Sequence, residues 1–106
     1  MRARILNASA GSGKTYQLAY KYVRDVVEQP GIYRHILAVT FTNKATEEMK
    51  SRILKEIHLL ASGGESSYLE NLCRELDMDA ATVRRRAAEV RSKILHDYSR
   101  FTVLTI

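Results

Sequence analysis

Ala8-Ser9-Ala10-Gly11-Ser12-Gly13-Lys14-Thr15 is the stretch whose reading decides the fold. A short, largely apolar run of Arg4, Ile5 and Leu6 precedes it, and a helix-patterned segment follows at once. The fixed positions are those of a phosphate-binding P-loop, with Ala8 where the first glycine usually stands. Gly11 and Gly13 let the backbone turn so that successive N–H groups face inward, and the helix that follows adds its positive end. Lys14 reaches the β- and γ-phosphates as a compact point charge, and the Thr15 hydroxyl suits Mg²⁺. Ala8 is tolerated because that position needs a small side chain more than positive φ. A glycine-rich turn without a ligand would account for the glycines but not for Lys14 and Thr15. Ala8 to Thr15 are therefore expected to bind ATP or GTP, with Mg²⁺ held through the nucleotide and Thr15.

Outward from the loop, residues 3–8 read as the first strand. Lys14 to Glu28 reads as a helix with Leu18, Ala19, Tyr22, Val23 and Val26 on one face, ended by Pro30 and Gly31. His35 to Phe41 is a continuous apolar run, expected to be a strand covered on both faces. Thr42 offers an N-cap hydroxyl, and Glu47 and Glu48 favour the helix start electrostatically. Ala45, Met49, Ile53, Ile57 and Leu60 then define a helix to about Ser62, closed by Gly63 and Gly64. Ser66 can cap a shorter helix bearing Leu69, Leu72, Cys73 and Leu76. Asp79 can cap another carrying Val83, Ala87, Val90 and Ile94 to about Asp97, and Phe101 to Ile106 reads as a last strand. The order β-α-β-α-α-α-β predicts a three-layer α/β/α class with a parallel sheet.

The chain has 106 residues, a formal charge of +5 and one cysteine, Cys73. That length fits one domain at most. The basic balance permits a phosphate-rich partner without requiring one. A lone cysteine excludes an internal disulfide, and Cys73 is expected in the core. No run is apolar enough to span a membrane and no signal-peptide pattern opens the chain, so the cytoplasm is the expected location. Phe101 to Ile106 is a strand-like run without a turn or polar tail after it, which predicts a chain that continues.

The second informative stretch runs Ala38-Val39-Thr40-Phe41-Thr42-Asn43-Lys44-Ala45-Thr46-Glu47-Glu48-Met49-Lys50-Ser51-Arg52-Ile53. It reads as a buried strand whose carboxyl end presents Thr40, Phe41, Thr42, Asn43 and Lys44 where a helix begins. Open α/β sheets place ligands at that edge. An exposed Phe41 can stack on a base, while Thr, Asn and a helix N-terminus can hold backbone phosphate. On the bland reading Phe41 is core, and Thr42 and Asn43 are only caps.

This stretch closely resembles motif Ia of the UvrD/Rep-type superfamily 1 DNA helicases, with Thr46 in place of the motif's second alanine. The alanine-first P-loop and the closing Phe101 to Ile106 strand are similar to that family's as well. The resemblance implies that residues 1–106 are the N-terminal part of the first RecA-like ATP-binding domain, truncated at the C-terminus, with 66–98 a helical insert. It implies Lys14 and Thr15 as the catalytic phosphate and Mg²⁺ residues, and Thr40, Phe41, Thr42 and Asn43 along a single-stranded DNA track. In the full-length protein it implies ATP-dependent unwinding or translocation in DNA repair or recombination, typically 3′ to 5′. Only seven residues precede the P-loop, so the upstream glutamine motif has no place, which looks more like the RecB/AddA subgroup of helicase-nucleases. A nuclease domain or a partner subunit is the corresponding expectation.

No Asp-Glu-x-Gln segment, arginine finger or second RecA-like domain lies within the 106 residues, so this segment alone is expected to be inactive. Strands bearing the later motifs are implied to insert between the first two strands, which predicts weak or altered strand pairing here. A small-molecule P-loop kinase and a free-standing nucleotide- or DNA-binding stub without turnover are the rival readings. Arg84-Arg85-Arg86 is a basic cluster on a helix, a solvated face in the first instance and a DNA contact in the second. Tyr16, Tyr20 and Tyr22 follow the loop; Tyr16 could meet a base, whereas packing of helix on sheet is the plainer role. His35, His58 and His96 have no metal-ligand spacing.

Overall fold

The computed structural model describes residues 4–7, 12–40 and 42–105. In chain order these form β1 (Arg4–Asn7), α1 (Ser12–Glu28), β2 (Ile36–Thr40), α2 (Asn43–Ser62), α3 (Leu69–Leu76), α4 (Ala80–His96) and β3 (Thr102–Thr105). Short 3-10 turns at Pro30–His35 and Tyr98–Arg100 lead into β2 and β3.

Each helix forms where its apolar spacing and its end residues agree. Ala19, Tyr22, Val23 and Val26 bury fully on one face of α1, and Pro30 opens the next turn, where its missing N–H costs nothing. Thr42 caps α2, its Oγ1 accepting from the Ala45 amide at 3.0 Å. Gly63 ends α2 at φ 83°, a left-handed conformation that a Cβ disfavours. Ser66, expected to cap α3, instead shapes the turn before it: Tyr68 is the N-cap, and its amide donates to the Ser66 Oγ at 3.1 Å. Asp79 caps α4, its Oδ1 accepting from the Thr82 amide at 2.8 Å. Val83, Ala87, Val90 and Ile94 of α4 then bury against the shared core.

The three strands are parallel neighbours in the order β1-β2-β3, with Asn7 beside Val39 and Thr40 beside Thr105. The expected three-layer α/β/α RecA-like class is nevertheless corrected by what surrounds them. The helices are 17, 20, 8 and 17 residues long, whereas the strands have four or five, so the body is predominantly helical. The strand order advances in one direction, and right-handed crossovers then place α1 and α2 on the same face. These helices do pack on one another, and α4 packs on both. Helices on opposite faces would be held apart by the sheet. The result is one helical layer against a small sheet.

The strand expected to be covered on both faces carries the same correction. Ile36, Ala38 and Thr40 are buried, while Leu37 and Val39, pointing the other way, stay partly exposed. Where inserted strands were implied, β1 and β2 are hydrogen-bonded directly. Cys73, expected in the core, is only half-buried at its margin. Phe101 precedes β3 and buries edge-on against Tyr22, the ring centroids 5.6 Å apart.

Candidate nucleotide- and nucleic-acid-binding site

The parallel register sets the geometry of the site. Because Asn7 lies beside Val39, the chain leaves β1 and β2 at the same, carboxyl, edge of the sheet. From that edge α1 starts at Ser12 and α2 at Asn43, and the two helices pack together. Two helix N-termini therefore open at one edge, each with N–H groups that have no acceptor inside the helix. Neither has an acidic residue in its first turn, so neither positive end is neutralised by its own side chains. Glu47 and Glu48, expected to support the start of α2, come one turn too late and are exposed.

Gly13, Lys14 and Thr15 fall in the first turn of α1. Ala8, Ser9, Ala10 and Gly11 lie outside the described residues, as does Phe41. Thr42 and Asn43 are exposed at the start of α2. Thr40 is different: its side chain is fully buried, with Oγ1 in contact with Thr46 Oγ1 and 3.3 Å from the Thr42 carbonyl. The Thr46 hydroxyl, also buried, donates to that carbonyl at 3.1 Å. The carboxyl end of β2 is thus tied to the first turn of α2 by two threonine hydroxyls. The role of Thr46 was not legible in the sequence, although its place at a motif alanine marked it as unusual.

Tyr16, directly after Thr15, packs edge-to-face on Tyr68 with centroids 5.1 Å apart, and the Arg52 guanidinium sits 5.1 Å from its ring centroid. The Tyr68 hydroxyl donates to the Tyr16 carbonyl at 2.9 Å. Burial pushes the Tyr68 phenol up to about 12, against the opposing pull of Arg52. Tyr16 and Tyr20 thus meet α3 through Tyr68, whereas Tyr22 turns into the core.

The arginine cluster divides. Arg84 Nη1 donates to the Leu60 and Gly64 carbonyls, each at 3.1 Å, closing the C-terminus of α2. Arg86 Nη1 donates to the Glu28 carbonyl at 2.7 Å at the end of α1. Arg85 alone of the three is exposed to solvent. Two of the three arginines therefore serve helix ends, a use that neither expectation named.

A cleft of about 550 Å³ lies at the other end of the sheet, between Tyr33, Arg34, Lys93 and Asp97. Arg34 pairs with Asp97 there at 3.0 Å, and the Tyr33 hydroxyl is 3.2 Å from the same carboxylate. These contacts join the turns that precede β2 and β3, remote from both motifs. Among the described residues no group of His, Cys, Asp and Glu side chains forms a metal site, and no helix is long and apolar enough to cross a membrane.

The family model for the UvrD/REP helicase N-terminal domain matches residues 2–104. The chain belongs to that family. It is similar to the RecBCD enzyme subunit RecB of Escherichia coli strain K12, 33% identical over 87 residues, covering 70% of this chain and 7% of that protein. It is also similar to an ATP-dependent helicase/nuclease of Lactobacillus acidophilus, 35% identical over 75 residues, 69% of this chain and 6% of the other. The ATP-dependent DNA helicase PcrA of Bacillus subtilis is 47% identical over 49 residues, 46% of this chain and 7% of the relative. The chain therefore spans less than a tenth of the length of each of these three relatives. No solved structure matches it.

Proposed function

We propose that this chain is the nucleotide- and DNA-engaging part of an ATP-dependent DNA helicase, and that the whole protein couples ATP hydrolysis to movement on single-stranded DNA in repair or recombination. The observation that carries the reading is the shared sheet edge. The P-loop helix and the motif Ia helix each follow a strand that ends at that edge, and each lacks an acidic first turn.

The residues fit a phosphate ligand. An anion bound by Ala8 to Thr15 would meet the unsatisfied N–H groups of α1, with Lys14 as the cation at the β- and γ-phosphates and Thr15 as the hydroxyl ligand to Mg²⁺. When bound, MgATP supplies the phosphoanhydride whose cleavage drives the motion. On the DNA side, Thr42 and Asn43 offer exposed donors to a phosphodiester, and Phe41 is proposed to stack on a base. Thr40 takes part through the backbone, since its side chain is turned inward. The names of the RecB and helicase/nuclease relatives favour a partner subunit or a nuclease domain for the whole protein. Residence in the cytoplasm belongs to the same reading.

Lys14→Ala in the whole protein tests it. ATP hydrolysis stimulated by single-stranded DNA should fall by about two orders of magnitude, while binding of the strand without nucleotide stays within about two-fold. Hydrolysis that single-stranded DNA does not stimulate in the parent protein overturns the proposal. ATP binding without turnover supports the stub instead.

A further inference from the structure

Three donors converge on one backbone atom beside the exposed face of the proposed DNA site. The Thr42 carbonyl accepts from the Thr46 amide at 3.0 Å and from the Thr46 hydroxyl at 3.1 Å, and the Thr40 hydroxyl lies 3.3 Å away. The two hydroxyls also touch each other, and both side chains are buried. A helix start needs only the amide. The hydroxyls are an addition, and the second of them occupies a position where motif Ia carries alanine.

The consequence follows from peptide planarity. In a trans peptide the C=O and the next N–H point in opposite directions. A Thr42 carbonyl held toward the helix interior therefore turns the Asn43 N–H outward, along the axis of α2 at its positive end. That N–H belongs to the first turn, where no intrahelical acceptor exists. Fixing the carbonyl fixes the direction in which this donor, and the exposed Thr42 and Asn43 side chains, meet a ligand. We propose that Thr46 is a positioning residue for the nucleic-acid contact: with Thr40 it locks the Thr42–Asn43 peptide so that α2 presents its first turn to a phosphodiester oxygen of a single strand. The inference rests on the DNA reading above, and it adds a residue that does not itself touch the strand.

The test uses Thr46→Val, which keeps the shape and removes the hydroxyl, and Thr46→Ser, which restores it, both in the whole protein. Binding of an oligo-dT strand and of a fluorescent ATP analogue are measured separately, with the strand concentration that half-saturates the ATPase. Thr46→Val should weaken oligo-dT binding about five-fold, the effect of one hydrogen bond. The half-saturating concentration should rise by the same factor, with maximal turnover and nucleotide affinity unchanged. Thr46→Ser should return to within two-fold of the parent. If the valine variant does not fold, Thr46→Ala takes its place with the same expectation. A valine variant that binds the strand like the parent overturns the inference while leaving the DNA reading intact. Equal losses toward strand and nucleotide, unrescued by serine, mean a merely structural threonine and overturn it too. A parent protein that binds nucleotide but not oligo-dT overturns the DNA reading first, and this inference with it.

Discussion

Tyr22 is fully buried, and its hydroxyl has no hydrogen-bond partner among the described residues. An unsatisfied buried hydroxyl costs more than it returns. Tyr22→Phe keeps the edge-on packing against Phe101 and removes that cost, so the variant should be more stable by about 1 kcal/mol, seen as a higher melting temperature. Burial also raises the Tyr22 phenol far above its ordinary value, and it raises Tyr20 and Tyr68 to about 12. The unfolded chain releases these protons near pH 10, by roughly the model-peptide value, whereas the fold retains them. The contribution is thus complete below pH ~10 and lost as pH rises through the folded values. Circular dichroism against pH should show unfolding between these limits, with Tyr22→Phe moving the midpoint upward. The inward turn of Tyr22 was legible in the spacing of α1, which put it on one face with Ala19, Val23 and Val26. Its unpartnered hydroxyl, and the packing of Tyr16 and Tyr20 on Tyr68, were not, because they depend on residues far along the chain.

At the scale of the helix, local signals were legible and distant ones were not. The i, i+4 runs of α1, α2 and α4 named the buried faces, and Thr42, Gly63 and Asp79 marked ends that are local by nature. The arginines defeated the same reading because the carbonyls they close belong to other helices, 24 residues back for Leu60 and 58 for Glu28. Arg84→Ala should destabilise the fold by about 1 kcal/mol through the freed carbonyls of α2, whereas Arg85→Ala should stay within about 0.5 kcal/mol. Chemical denaturation checks the difference, and equal effects would return the cluster to a solvated face. The Thr42, Thr40 and Thr46 junction stands between these cases: its cap was legible, while its inward hydroxyls required the strand and helix to be brought together.

Across the whole molecule, the difference between expectation and structure lies in the layers. An apolar run cannot say whether one face or both are covered, and His35 to Phe41 was such a run. Strand order decides it, and that order is set by pairing between residues more than 30 apart. The one-sided arrangement has a measurable signature. Val39→Thr, on the partly exposed face of β2, should cost less than about 1 kcal/mol, and Ile36→Thr, beneath the helices, should cost about 2 kcal/mol or more. Comparable losses at the two positions would mean that both faces are packed. The family was legible in the two motif stretches, because each is a run of neighbouring residues, and the structure describes only part of each.

The segment 66–98 is fastened to α1 at three points. Tyr68 holds the backbone at Tyr16, Glu75 pairs with Arg24 at 2.9 Å, and Arg86 closes the far end at Glu28. Alongside these ties α4 lays Val83, Ala87, Val90 and Ile94 into the common core. A chimaera that exchanges this domain between relatives must therefore transplant 66–98 together with α1 and α2 as one cassette. Grafted separately, either part would bring an apolar face shaped for a partner left behind in the donor.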